Sequence, residues 1–265
     1  EALLQGATEL HIVGGLHPEL PFEFYLEMLR TLKSVSSSLH LKAFTAVEID
    51  HLAGISGLGI RALLQKLIEA GLGSLPGGGA EIFAGRVRRK LCPDKISGER
   101  WLEIMEHAHR LGLGSNATML YGHLEDFADR IDHFRRLREL QDRTGGFQAF
   151  VPLPFQPENS RLSMERVAAT TGLDDLKTLA IARLYLDNFE NIKAYWVMLG
   201  EKTAQVALAF GANDLDGTVI EEKIGHDAGA DSPQSLSLAK IVRLIRKAGK
   251  IPVERDTLYH PLREY

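Results

Sequence analysis

Apolar runs that end in glycine, proline or polar residues recur along this chain, and amphipathic stretches separate most of them. Seven stand out: HIVGGLHP (11–18), HLKAFTAVEI (40–49), GSLPGGGAEIF (73–83), GSNATMLYGH (114–123), AFVPLPFQP (149–157), IKAYWVMLG (192–200) and VALAFGANDLDGT (206–218). Each predicts a strand with a polar carboxyl end. Phe22, Tyr25, Leu26, Leu29 and Leu32 repeat at helical spacing and predict a helix over 21–34. Further helices are predicted over 60–70 with Gly71 as the stop, over 99–111, from Phe127 to Leu140 closed by Gly145 and Gly146, over 173–189 and over 236–247. Residues 1–7 read as the last turn of a helix ended by Gly6, before a strand over 9–13.

Alternation of this kind predicts an α/β chain with a parallel sheet and crossover helices. The fold expected is a (βα) TIM-type barrel with seven βα units visible and the first unit absent. A flatter doubly wound sheet is the alternative. One domain is expected over 1–265, with 250–265 as a C-terminal tail. The chain starts at Glu1 without an initiator methionine, which agrees with a missing first unit. The active site of such a barrel is built at the carboxyl ends of its strands.

Composition acts mainly by exclusion. Hydrophobic content of 45% and charged content of 25% fit an ordinary soluble domain. A net charge of −4 leaves no electrostatic footprint for nucleic acid, and the basic run Arg86, Arg88, Arg89 and Lys90 reads as a solvated helix face. No apolar run reaches the ~20 residues that span a bilayer, and no secretory pattern is present, so no membrane partner is expected. The single cysteine, Cys92, excludes an internal disulfide and points to a reducing cytoplasm.

Candidate chemistry gathers at the predicted strand ends. Gly14 and Gly15 either let a ligand approach the backbone or form a tight turn. In LPGGGAEI (75–82), Glu81 follows three glycines; it suits ribose hydroxyls or an ammonium group, or else it caps the next helix. TMLYGH (118–123) brings a hydroxyl, a thioether, a phenol and an imidazole to one strand end, with Tyr121 and Gly122 at its centre. NDLDGT (213–218) supplies Asn213, Asp214 and Thr218, as a polar ligand site or as a turn bonding its own backbone. His226 follows on a loop over the mouth. His107 and His109 lie two apart on a helix, a spacing that does not make a metal pair. There is no GxSxG elbow and no P-loop.

Taken in order, GGLHP, KAFTAVEI, SLPGGGAEIF, RVRRKLCPDK, TMLYGH, DNFENIKAYWVMLG and NDLDGTVIEEKIGHDAGA resemble the aminofutalosine synthase family of radical S-adenosylmethionine (SAM) enzymes, from about Leu10 to Tyr259. NDLDGT and KAYWVMLG favour this family over dehypoxanthine futalosine cyclase and the deazaflavin synthases. A cluster-less barrel that only binds ligand or partner is a reading of a different class. The resemblance implies a 4Fe–4S cluster that cleaves SAM to a 5′-deoxyadenosyl radical. That radical adds to 3-[(1-carboxyvinyl)oxy]benzoate and yields 6-amino-6-deoxyfutalosine for menaquinone biosynthesis. It implies a reducing donor such as flavodoxin or ferredoxin, small-molecule substrates and a possible homodimer. It places Gly14 and Gly15 at the methionyl amino group, Glu81 at the ribose or amino group, and Tyr121 and Gly122 beside the adenosine. Asn213, Asp214, Thr218 and His226 fall on the side of the aromatic substrate. The family's CxxxCxxC is absent, so no metal ligand is expected in this chain and the cluster ligands are expected upstream of Glu1.

Overall fold

The computed structural model describes residues 2–159, 168–219 and 224–265. Its sheet grows in sequence order, every step parallel. β1 (Glu9–Ile12) pairs with β2 (His40–Ala43), with Leu10 opposite Leu41. Lys42 then bridges to Ser74, and Leu75 to Ser115, the first residue of β3 (Ser115–Tyr121). β3 pairs with β4 (Phe147–Pro154), β4 with β5 (Asn191–Ile192), and Lys193 bridges to Asp214. Sequential parallel strands linked by crossover helices form part of a TIM-type barrel.

The helices cover one face of this arc. They are α1 (Phe22–Val35), α2 (Ala46–Ser56), α3 (Ile60–Glu69), α4 (Gly85–Leu91), α5 (Gly98–Arg110), α6 (Phe127–Thr144), α7 (Gly172–Tyr185), α8 (Trp196–Ala207), α9 (Ile224–Ala228) and α10 (Leu238–Lys247). A 3₁₀ turn at Ala2–Gln5 ends at Gly6 as the sequence suggests. In α5, Trp101, Ile104, Met105 and Ala108 recur at helical spacing and are wholly buried. Ala117, Met119 and Tyr121 of β3 join the same core, as do Leu41 and Ala43 of β2. Phe83 stacks on His133, and Phe147 stacks on both Trp101 and Phe189. Because strand side chains alternate, Glu9, His11, Lys42, Asn116 and Thr118 lie on the other face, which turns inward.

Four predicted strands are shorter than their apolar runs. Residues 40–49 were expected to be one strand, but it stops at Ala43. Phe44 takes φ +62°, and Thr45 then caps α2 in a reciprocal capping box with Glu48. In 73–83 only Ser74 and Leu75 bridge to neighbours. In 192–200 only Ile192 and the Lys193 bridge belong to the sheet, because α8 begins at Trp196. In 206–218, Val206 and Ala207 finish α8, and Asp214 makes the one bridge seen in that run. A short apolar run fits a buried helix end as well as a strand, so hydropathy alone does not separate them.

The C-terminal tail is structured. β6 (Val253–Arg255) and β7 (Pro261–Glu264) form an antiparallel hairpin. Arg255 donates through Nε to Asp214, and the Lys42 ammonium lies 3.4 Å from the Thr257 hydroxyl and 3.0 Å from Glu9. Leu258 and Tyr259 line a cavity of about 270 Å³ together with Gln148, Asn188 and Asn191, residues at the amino ends of β4 and β5. The tail therefore covers the amino ends of the strands, opposite the mouth. Removing one member of a buried ion pair strands the other charge. Arg255→Ala should therefore lower the unfolding free energy by about 3 kcal/mol in urea titrations. A loss below about 1 kcal/mol would show that the hairpin is not part of the cooperative fold.

Candidate active site

At the carboxyl end of β1, the chain meets a carboxylate that the sequence reading missed. Glu48 is buried, and its Oε1 accepts the Gly14 N–H at 3.0 Å. Its Oε2 accepts the Thr45 N–H and hydroxyl, each at 2.8 Å. Gly14 is thus already held by the protein, while a side chain at Gly15 would meet nothing within 4 Å. Of the two glycines, Gly15 borders open space.

The 73–83 loop is bound to the protein carbonyl by carbonyl. The Gly77 carbonyl accepts from the Thr118 hydroxyl at 2.6 Å, and Gly78 from the Trp101 indole at 3.1 Å. Arg88 donates to Gly79, Ala80 and Ile82, and Leu120 N–H donates to Glu81. The glycines serve this packing. A Cβ at Gly77 would stand 2.8 Å from Thr118 Cγ2, and one at Gly79, where φ is +83°, would stand 2.6 Å from Val47 Cγ2. Glu81 itself takes φ +46°, a conformation rare outside glycine, asparagine and aspartate. Its carboxylate is paired with Lys95 and only 17% exposed. It does not cap the following helix, since the N-cap of α4 is Ala84 and no side chain bonds there.

Arg88 corrects the reading of the basic run as a solvated face, for it is buried and bonded to loop carbonyls. Tyr121 is also re-placed. Its phenol is fully buried toward the helices and donates to Asp175 at 2.8 Å. Gly122 takes φ +85°, its N–H reaches Glu125 at 2.6 Å, and a Cβ there would overlap Thr170. Glu125 also accepts from His123 and Arg130, and Arg130 lies 5.0 Å above the Tyr121 ring. The polar groups of TMLYGH are therefore committed to bracing this strand end.

The NDLDGT cluster divides. Asn213 accepts the Ile192 N–H at 2.8 Å and Arg183 at 3.0 Å, and donates to the Glu190 carbonyl at 3.2 Å. Asp214 accepts from Arg255 and from the Asp216 N–H. Asn213 thus ties α7 to the end of β5, and Asp214 ties the sheet to the tail. The Thr218 carbonyl accepts the Leu236 N–H, and His226 Nε2 lies 3.0 Å from the Ser232 carbonyl. His109 lies 2.8 Å from each of the Thr144 and Ser115 hydroxyls, a buried structural contact. Among the described residues, no group of three or more His, Cys, Asp and Glu side chains is placed to hold a metal. No helix of the described residues is long and apolar enough to cross a membrane.

Parallel strands, helices on one face and a carboxylate displayed at the strand ends define an α/β barrel-type protein with its candidate site at the mouth. The fold is similar to that in the crystal structure of methylornithine synthase (PylB), with a TM-score of 0.62 and 17% identity over 91% of this chain and 66% of that one. The sequence is 54% identical over 260 residues to aminodeoxyfutalosine synthase of Thermus thermophilus, covering 97% of this chain and 70% of that protein. It is 48% identical to the Streptomyces coelicolor aminodeoxyfutalosine synthase, covering 98% of this chain and 70% of that protein. It is 45% identical to the 5-amino-6-(D-ribitylamino)uracil–L-tyrosine 4-hydroxyphenyl transferase of Methanopyrus kandleri, over the whole chain and 73% of that protein. The CofH/MqnC C-terminal region matches residues 144–264. The chain belongs to the aminodeoxyfutalosine synthase family.

Two tests follow from the braced strand ends. Burial alone would raise the Glu125 carboxyl, but the hydrogen bond and charge of His123, with the Gly122 and His123 N–H groups, outweigh it and hold the pKa down to about 2. A folded-state pKa below the ordinary glutamate value gives stability that is present above that value and lost as pH falls toward 2. Glu125 should therefore stabilise the fold at neutral pH and lose that contribution on acidification. Acid unfolding of Glu125→Gln should lack that part of the slope between those pH values; an unchanged slope would remove Glu125 from the account. Glu48→Gln turns an acceptor into a donor facing N–H groups and should cost about 1–3 kcal/mol in urea titrations.

Proposed function

We propose that this chain forms the barrel and mouth of an aminodeoxyfutalosine synthase. Such an enzyme joins the adenosyl part of SAM to 3-[(1-carboxyvinyl)oxy]benzoate through a new C–C bond, with release of methionine and loss of the enolpyruvyl carboxyl group, giving 6-amino-6-deoxyfutalosine. Identity of 54% across 97% of the chain carries this reading. On it the barrel comprises seven βα units of an eight-unit fold, and the enzyme is soluble and cytoplasmic.

The donors present do not fit an iron–sulfur cluster. Three thiolates are needed, and Cys92, at the end of α4, is the one cysteine. Burial also pushes its thiol up, away from the thiolate form a metal requires. On this reading the cluster is held by residues outside these 265, and it supplies the reductive cleavage of SAM.

The mouth does fit SAM. Gly15 leaves room for close approach to the backbone, and Glu81 presents an acceptor to an ammonium or a ribose hydroxyl, with Lys95 beside it as a donor. The proposed work of this chain is to bind, orient and exclude water. Gly14, fixed by Glu48, sets the path of the backbone into Gly15. Gly122 is assigned to the strand end beside the adenosine, and Thr218 and His226 to the aromatic substrate's side. A reducing protein such as flavodoxin or ferredoxin would supply the electron.

The test uses protein carrying these residues together with a three-cysteine cluster segment, reconstituted anaerobically with SAM and the enolpyruvyl benzoate. Mass spectrometry should detect 6-amino-6-deoxyfutalosine. Product formed instead from tyrosine and 5-amino-6-(D-ribitylamino)uracil would move the chain to the transferase relatives. Glu81→Gln should weaken SAM binding by about 10- to 100-fold, the worth of one hydrogen bond to a charged group. Unaltered binding would remove Glu81 from the site.

A further inference from the structure

Arg88 is the residue whose role nothing above explains. It sits on α4, only 5% exposed, and no carboxylate pairs with it among the described residues. A buried guanidinium without a counter-ion is costly unless its donors are satisfied. Here they are satisfied almost wholly by backbone. Nη1 donates to the carbonyls of Ala80 and Ile82, and Nη2 to those of Gly79 and Ile96, while Nε is left without a partner.

Those carbonyls have a common position. Gly79, Ala80 and Ile82 flank Glu81, and Ile96 follows Lys95, the partner of Glu81. One planar side chain therefore ties together the two short segments that carry the Glu81–Lys95 pair. The Glu81 backbone is in the left-handed region, which glutamate rarely adopts without outside restraint. Its own carbonyl takes the Leu120 N–H, and Arg88 holds the carbonyls of the residues on either side, Ala80 and Ile82.

We infer that Arg88 is a positioning residue: it holds the Glu81 carboxylate and the Lys95 ammonium at the mouth in the geometry that receives the polar end of SAM. This rests on the reading of Glu81 as a SAM contact. Lysine retains the charge but lacks the planar fork, so it does not span four carbonyls at once.

The test is a double-mutant cycle on the cluster-loaded enzyme, with SAM as the probe, binding read by equilibrium dialysis and kcat and KM read by product formation. Arg88→Lys should weaken SAM binding and raise its KM about tenfold while kcat changes little. In the Glu81→Gln background the same substitution should cost less than about twofold, because the group it positions is gone. Equal losses in both backgrounds, or no loss in either, overturn the inference. If Glu81→Gln alone binds SAM as the unaltered enzyme does, the reading of Glu81 fails first and the inference falls with it. Should Arg88→Lys not fold, Arg88→Gln, which leaves no buried charge, takes its place in the cycle with the same outcomes.

Discussion

Two lysine ammonium groups set the terms for the inside of this molecule. Lys42 and Lys193 lie on inward-facing strand positions and are each almost wholly buried. An unpaired ammonium there would be costly, so each has partners. Lys42 reaches Glu9 on the neighbouring strand and Thr257 of the tail. Lys193 reaches Asp216 at 2.8 Å, and Asp214 is held in turn by Arg255. Burial pulls the Lys193 ammonium down, but the Asp216 and Asp214 carboxylates outweigh it and hold its pKa up. The hairpin of β6 and β7 completes this set of charges, which ties the last residues of the chain to its first strand.

Ion pairs thus hold the inner face of the sheet to the tail, and the loops after the strands are held by a different device. There, buried charged side chains bond mainly to backbone: Glu48 to the Gly14 and Thr45 N–H groups, Arg88 to the loop carbonyls, and Glu125 to the Gly122 and His123 N–H groups. Such contacts fix where the chain runs without using the loop residues' side chains. Glu81, paired with Lys95, and Gly15, beside open space, follow the strands on these braced segments. A site built this way suits chemistry in which the protein's main task is to orient small molecules around a reactive group.

Much of this was legible in the residues. Helical spacing located α1, α3, α5, α6, α7 and α10 to within a few residues, because each buries one apolar face. The strands at 9–12, 115–121 and 147–154 were equally plain. The capping signal at Thr45 and Glu48 was present in the sequence as T-A-V-E, but the β-branched and aromatic residues around it read as strand. No local signal marked Arg88. One arginine among four basic residues is chosen for burial only by the way α4 docks on the 77–82 loop.

The sequence by itself determined the class of the fold, the family and the single cysteine, since these follow from periodicity, ordered motifs and composition. Only the tertiary structure decided what each polar residue of those motifs does. Tyr121, Asn213 and Asp214 stand in motifs that look like ligand contacts, yet their side chains bond to Asp175, Arg183 and Arg255, residues 30 or more positions away. The physical reason is that a buried hydrogen-bonding group must find a partner, and the identity of that partner is set by which distant segments the barrel brings together.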